Sequence, residues 1–158
     1  LPCDRVNGVL TVYTDSTMRI PIKTIRVSVG KAGTETPTGT WTMHRAGRWQ
    51  ELMGPSWGQY GTHVVNGIFV HSVACGQANS YNLPVGEYLR LGNPASHGCI
   101  RACVADAKWV WDNCNGSKIH IFDGTYTSNE ALKGPLGRKA LTPLRGSKNF
   151  DPTDPACK

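Results

Sequence analysis

The sequence is poor in charge. Asp, Glu, Lys and Arg make up 18% of its 158 residues, against roughly 25% in an ordinary soluble domain. No apolar run approaches the roughly 20 residues that a membrane-crossing helix requires. There is no repeat period and no heptad pattern, so neither a solenoid nor a coiled coil fits. There is no CxxC pair and no HExxH, which removes the common zinc frameworks. There is no GxSxG, which removes the serine nucleophile elbow. Lys and Arg are scattered with no block of five or six, so the net charge of +6 does not form a nucleic-acid stripe. That surplus suits an anionic partner in general, a charged wall polymer included. The sequence begins at Leu1 rather than Met, from which we expect a mature fragment or an excised domain.

What is present is glycine, 18 residues, and proline, 10 residues, within a 39% hydrophobic composition. This length and composition fit one folded domain with its own core. Gly8 to Thr14 and Arg19 to Val29 alternate apolar with polar residues and read as a hairpin. Pro21 puts the second strand at an edge or a break in pairing. Thr40 to His44, Gly67 to Val73 and Lys118 to Phe122 read as further strands. Gly47 to Gly61 reads as irregular. Val104 to Asn113 is the one clear helix, with Val104, Ala107, Val110 and Trp111 on one side and Asp106 in its first turn. The expected fold is mainly β: a β-sandwich or open barrel of short strands, with one principal helix after the Cys99 loop. We expect a catalytic domain over residues 1–147 and a tail over 148–158.

The chemistry concentrates in Ser96-His97-Gly98-Cys99-Ile100-Arg101. Cys99 is a nucleophile if a neighbouring base or cation favours its thiolate. Gly98 leaves the backbone uncrowded, so N–H groups at Gly98 and Cys99 can face a developing oxyanion. Arg101 brings positive charge for the thiolate or for a substrate carboxylate, and the helix starting near Val104 adds its positive end. His71, in Phe69-Val70-His71-Ser72, sits on a rigid strand as a general base. Each residue alone has a plainer reading: a bonded core imidazole for His71, a turn residue for His97, a buried thiol or half of a disulfide for Cys99.

Together, His71 and the SHGCIR segment closely resemble the L,D-transpeptidase catalytic domain, the YkuD-type family. Thr36-Pro37-Thr38-Gly39-Thr40-Trp41 resembles that family's TPTG-aromatic segment. Asp106 to Trp109 with Gly116 to Ile121 resemble its helix and last strand. Gly54 to Tyr60, Gly134 to Gly137 and Asp151 to Pro155 resemble its Gram-positive members. The resemblance covers roughly Gly8 to Pro155. It implies a peptidoglycan L,D-transpeptidase without cofactor or metal. Cys99 would attack the carbonyl of the third residue of a tetrapeptide stem and expel the terminal D-Ala. The thioester would pass to an amine of a second stem as a 3-3 cross-link. His71 would be the base, oriented by the Ser72 carbonyl, and the N–H groups of His97, Gly98 and Cys99 would hold the oxyanion. Arg101, Ser96 and Tyr60 would contact substrate.

Stem peptides as donor and acceptor are then the partners, with carbapenem-type β-lactams as covalent inhibitors and no nucleic acid. The chain would act as a monomer, outside the cell at the wall, as the ectodomain of a membrane-anchored protein. Water in place of the amine makes the same site an L,D-carboxypeptidase, and the same fold without turnover is a wall-binding module. Sortases lack a match here because the TLxTC strand is missing, and NlpC/P60 hydrolases place Cys before His. The interval from His71 to Ser96 is long for the family, and we expect Ala74 to Leu91 to form a loop over the site.

Five cysteines remain beside Cys99: Cys3, Cys75, Cys103, Cys114 and Cys157. Cys103 and Cys114 bracket the helix, about 16 Å apart at its rise per residue, beyond the roughly 7 Å span of a bridge. A Cys75–Cys103 disulfide is the pairing we favour, in an oxidising location.

Overall fold

The computed structural model describes residues 1–146 and 149–157. Eleven short strands and two α-helices appear among them. The first strands are β1 (Pro2–Asp4), β2 (Val9–Tyr13), β3 (Pro21–Arg26) and β4 (Gly39–Thr42). They are followed by β5 (His44–Arg45), β6 (Trp49–Leu52), β7 (Ser56–Gln59), β8 (Thr62–Val65) and β9 (Ile68–Ser72). Helix α1 (Val85–Leu89), β10 (Ile100–Ala102), α2 (Val104–Asn113) and β11 (Lys118–Phe122) complete the order, with a 3-10 turn at Glu130–Leu132.

One sheet runs β3-β2-β1-β11-β4 and a second runs β10-β9-β8-β5, while β6 and β7 form a separate hairpin. A single apolar core joins the two larger sheets. Leu10, Ile25, Ile119 and Ile121 from the first meet Val64, Val70 and Ile100 from the second. The core works because each strand alternates its side chains between faces. In β11, Ile119 and Ile121 turn inward, while Lys118 and His120 face solvent. Pro21 starts the edge strand β3, where its missing N–H costs no ladder bond.

The mainly β sandwich with one principal helix is the architecture the alternating runs predict. The predicted helix 104–113 coincides with α2. Several elements escape the sequence reading, the short strands β8 and β10 among them. The segment 47–61, expected to be irregular, contains the β6–β7 hairpin, in which Trp49 pairs with Gln59 and Leu52 with Ser56. Gly58 and the turn residues Gly54 and Pro55 mask its strand pattern. β1 is only three residues long, yet it lies between β2 and β11 and pairs with both. The interval 74–91 is not simply a loop over the site. It carries α1, whose Tyr88 is buried with Val73, Leu83 and Leu91 and whose hydroxyl donates to the Thr142 carbonyl at 2.6 Å.

The expected boundary between 147 and 148 lies outside the described residues. Residues 149–157 pack on the body, with Phe150, Asp151, Asp154 and Cys157 buried. The Asp151 carboxylate accepts the Val104 N–H at 2.8 Å, and Thr153 Oγ1 accepts the Ala105 N–H at 3.1 Å. The N-terminal N–H groups of α2 therefore find their partners in the C-terminal segment. The expected Cys75–Cys103 disulfide is not formed, and all six cysteines are free thiols. Cys75 Sγ lies 3.7 Å from the Val73 carbonyl, and its backbone is bridged to Trp57. Cys103 occupies the N-cap of α2.

Candidate active site

β9 and β10 lie side by side and parallel, with Arg101 opposite His71. Register partners point to the same face of a sheet, so His71 and Arg101 share one face, while Val70 and Ile100 turn into the core. Between the two strands in sequence lies the loop that carries Cys99. A cleft of about 280 Å³ brings these groups together. His71, Ser96, His97, Cys99 and Arg101 line one side, and Leu52, Met53, Gly54 and Ser56 of the β6–β7 hairpin line another. Of the 74–91 interval only Ala74 reaches it.

His71 is buried, and its Nδ1 is in close hydrogen-bond contact with the Ser72 carbonyl. A carbonyl can only accept, so Nδ1 carries the hydrogen and Nε2 of the neutral ring keeps its lone pair. Burial pushes the imidazole down from 6.5 to about 4. The Ser72 carbonyl opposes this shift and the Arg101 charge adds to it. The ring is therefore neutral near pH 7.

The Cys99 sulfur is partly exposed and accepts the Phe69 N–H at 3.4 Å. It also lies 3.5 Å from the Gly67 carbonyl. Burial raises the thiol, and this outweighs the lowering by the Phe69 N–H and Arg101. Burial thus works against the thiolate that the cationic neighbours had suggested. The first N–H groups of α2 are taken up by Asp151 and Thr153.

The loop holds Cys99 through bonds of its own. The Gly98 N–H donates to Ser96 Oγ at 3.1 Å, and that hydroxyl donates to the Cys99 carbonyl. Ser96, expected against substrate, thus spends its hydroxyl inside the loop and is buried. The Gly98 φ of 128° suits glycine. Thr36, fully buried, clamps the loop from outside: its hydroxyl donates to the Gly98 carbonyl at 2.6 Å and accepts the Gly30 N–H at 2.9 Å. This gives the TPTG segment a local job, which spacing alone did not reveal.

His97 is exposed at the cleft. Arg101 is nearly covered, and its Nη1 bonds Glu87 of α1 at 2.8 Å. No sequence signal connected Glu87 to the site. Tyr60 is a correction: it is buried away from the cleft, packed with Val104 and Ala107 and edge-on to Trp111 at 5.4 Å. The residue follows β7, so it turns under the hairpin, where the Arg48 guanidinium stacks 4.1 Å from its ring.

The sequence model of the L,D-transpeptidase catalytic domain matches residues 4–131. YciB of Bacillus subtilis (strain 168) is 59% identical over 27 residues, 17% of this chain and 14% of that protein. Among solved structures, an L,D-transpeptidase from Mycobacterium tuberculosis H37Rv superposes with a TM-score of 0.60 at 20% identity, over 77% of this chain and 56% of that one. L,D-transpeptidase 3 from Mycobacterium tuberculosis, solved with a faropenem-derived adduct, does so at 0.56 and 18%, over 77% and 59%. At these identities the two structures speak for the fold, and the chain spans little more than half of each. The match over residues 4–131 makes the chain a member of the YkuD L,D-transpeptidase catalytic domain family.

Proposed function

We propose that this domain is a cysteine-dependent peptidoglycan L,D-transpeptidase. The observation that carries the reading is a buried, neutral His71, oriented by the Ser72 carbonyl, in the same cleft as the partly exposed Cys99 thiol. His71 Nε2 takes the thiol proton as sulfur attacks the carbonyl carbon of the third stem residue. Thiol and imidazole both start neutral, so the proton moves as the C–S bond forms and no standing ion pair is needed. The oxyanion falls to the backbone N–H groups of His97 and Cys99, since the Gly98 N–H is engaged by Ser96. Collapse breaks the C–N bond, and the imidazolium returns its proton to the departing D-Ala amine, leaving a thioester on Cys99. The amine of a second stem then attacks the thioester, loses a proton to His71, and releases the thiol with a 3-3 cross-link.

The apolar hairpin wall of the cleft suits the aliphatic part of a stem peptide. The faropenem-derived adduct on the Mycobacterium tuberculosis relative supports β-lactams as acylating inhibitors here. Peptidoglycan lies outside the membrane, so the domain works there, as a monomer on the wall.

Intact-mass measurement after incubation with a carbapenem is the direct test. We expect one covalent adduct on the wild type and none on Cys99→Ala, whose circular dichroism should be unchanged. An adduct surviving in Cys99→Ala overturns the nucleophile. Tetrapeptide stems should yield free D-Ala together with a cross-linked dimer. D-Ala without dimer makes water the acceptor and the enzyme a carboxypeptidase.

A further inference from the structure

The reaction above needs the His71 ring in one orientation, yet the Ser72 carbonyl supplies only a single bond to hold it. β7 adds a wall against the ring. Gly58 lies flat against the imidazole. A Cβ at that position would sit 2.5 Å from Nδ1, 2.8 Å from Cγ and 3.0 Å from Cβ of His71. Real side chains do not tolerate such contacts, so any residue but glycine would push the ring off the Ser72 carbonyl. The chain on both sides of Gly58 is tied to the β9 segment. Trp57 and Cys75 exchange both backbone bonds, at 2.7 and 2.8 Å. The Gln59 N–H donates to Ser72 Oγ at 2.8 Å. Ser72 is therefore held through its side chain by the same strand that walls the ring it orients.

Gln59 is itself buried, with both ends of its carboxamide engaged. Oε1 accepts from Arg48 Nη1 at 2.9 Å, and Nε2 donates to Asp154 Oδ2 at 3.0 Å. Asp154 is buried, and its N–H donates to the carbonyl of Asp151, the residue that caps α2. A line of bonds thus runs from the start of α2, through the C-terminal segment, to the strand against the base.

We propose that Gly58, Gln59 and Asp154 are positioning residues for His71, with the C-terminal segment acting as the brace that keeps β7 against the ring. The inference rests on the reading of His71 as the base. It gives residues 149–157 a part in turnover, beyond closing the end of α2.

The test uses Gly58→Ala, Asp154→Ala and Asp154→Asn, with His71→Ala as reference. The readouts are kcat and KM for D-Ala release from a tetrapeptide stem and the 15N shifts of the His71 ring. Gly58→Ala should lower kcat about 10²-fold, the size of an ångström-scale misplacement, with KM little changed and the Nδ1–H tautomer signature shifted. Asp154→Ala should lower kcat about tenfold, as expected for one buried bond lost from the brace. Asp154→Asn keeps an acceptor for Gln59 Nε2 and should restore most of that loss, which a merely structural effect of charge removal would not. If Gly58→Ala fails to fold, the Asp154 pair decides alone. Wild-type kcat and ring shifts in folded Gly58→Ala or Asp154→Ala, beside an inactive His71→Ala, overturn the brace and leave the base intact. An active His71→Ala overturns the base itself.

Discussion

Lowering the pH should destabilise this fold through His71 alone by about 3 kcal/mol. The imidazole sits at about 4 in the folded chain and near 6.5 when unfolded. Between those values the unfolded chain binds a proton that the folded chain refuses, so stability falls as pH falls. The contribution is complete above pH 6.5 and is lost progressively down to about pH 4. Each unit of difference is worth 1.36 kcal/mol, and the gap of about 2.5 units between 6.5 and about 4 sets the total. The ring is 1% exposed, so solvent screening takes little off this figure. Urea midpoints measured from pH 7.5 to 4 on the wild type and on His71→Gln isolate it. The glutamine variant starts from its own stability, and only the difference in slope is read. Other groups titrate alike in both proteins and cancel, among them Asp151, whose burial raises its carboxyl and acts with the opposite sign. Parallel profiles for the two proteins would refute the assignment of a buried, neutral His71.

Two further outcomes follow from the geometry. Thr36→Val keeps the shape but leaves the Gly98 carbonyl and the Gly30 N–H without their shared partner. Stability should drop by about 2–4 kcal/mol in chemical denaturation, and Cys99 alkylation should slow because its loop loosens; an unchanged alkylation rate would separate the clamp from the site. Tyr60→Phe should leave kcat/KM for stem peptides within about twofold, since its ring is buried away from the cleft, whereas Tyr60→Ala should cost about 3 kcal/mol of stability. A large loss of kcat/KM in Tyr60→Phe would return Tyr60 to the substrate.

Periodicity made the larger elements legible. β11 alternates clearly, β2 and β9 stand out as short, mostly apolar runs, and α2 carries a buried stripe with an acid in its first turn. The β6–β7 hairpin was not legible, because Gly58 faces a histidine ring and so leaves no apolar residue in the pattern. α1 is five residues long and has no side-chain cap, so it gives no start signal. Tyr60 was misplaced for a similar reason: an aromatic beside a glycine-rich stretch reads the same whether it faces a cleft or the underside of a hairpin.

The sequence by itself determined the types of group at the centre, a thiol in a glycine-containing loop and an imidazole on a strand, because loop and strand are each specified by near neighbours. It also determined the mainly β class, through alternation that only a half-buried sheet explains. Tertiary structure alone decided the state of those groups. Burial raised the Cys99 thiol and lowered the His71 imidazole, although the nearby charges had pointed to a standing thiolate. It also decided who serves the site: Thr36 on the Gly98 carbonyl, Glu87 on Arg101, Asp151 on the start of α2, and Gly58 with Gln59 and Asp154 around His71. Those partners lie up to 95 residues apart in the chain. Desolvation and long-range hydrogen bonds exist only once such segments meet, and no local pattern of residues encodes them.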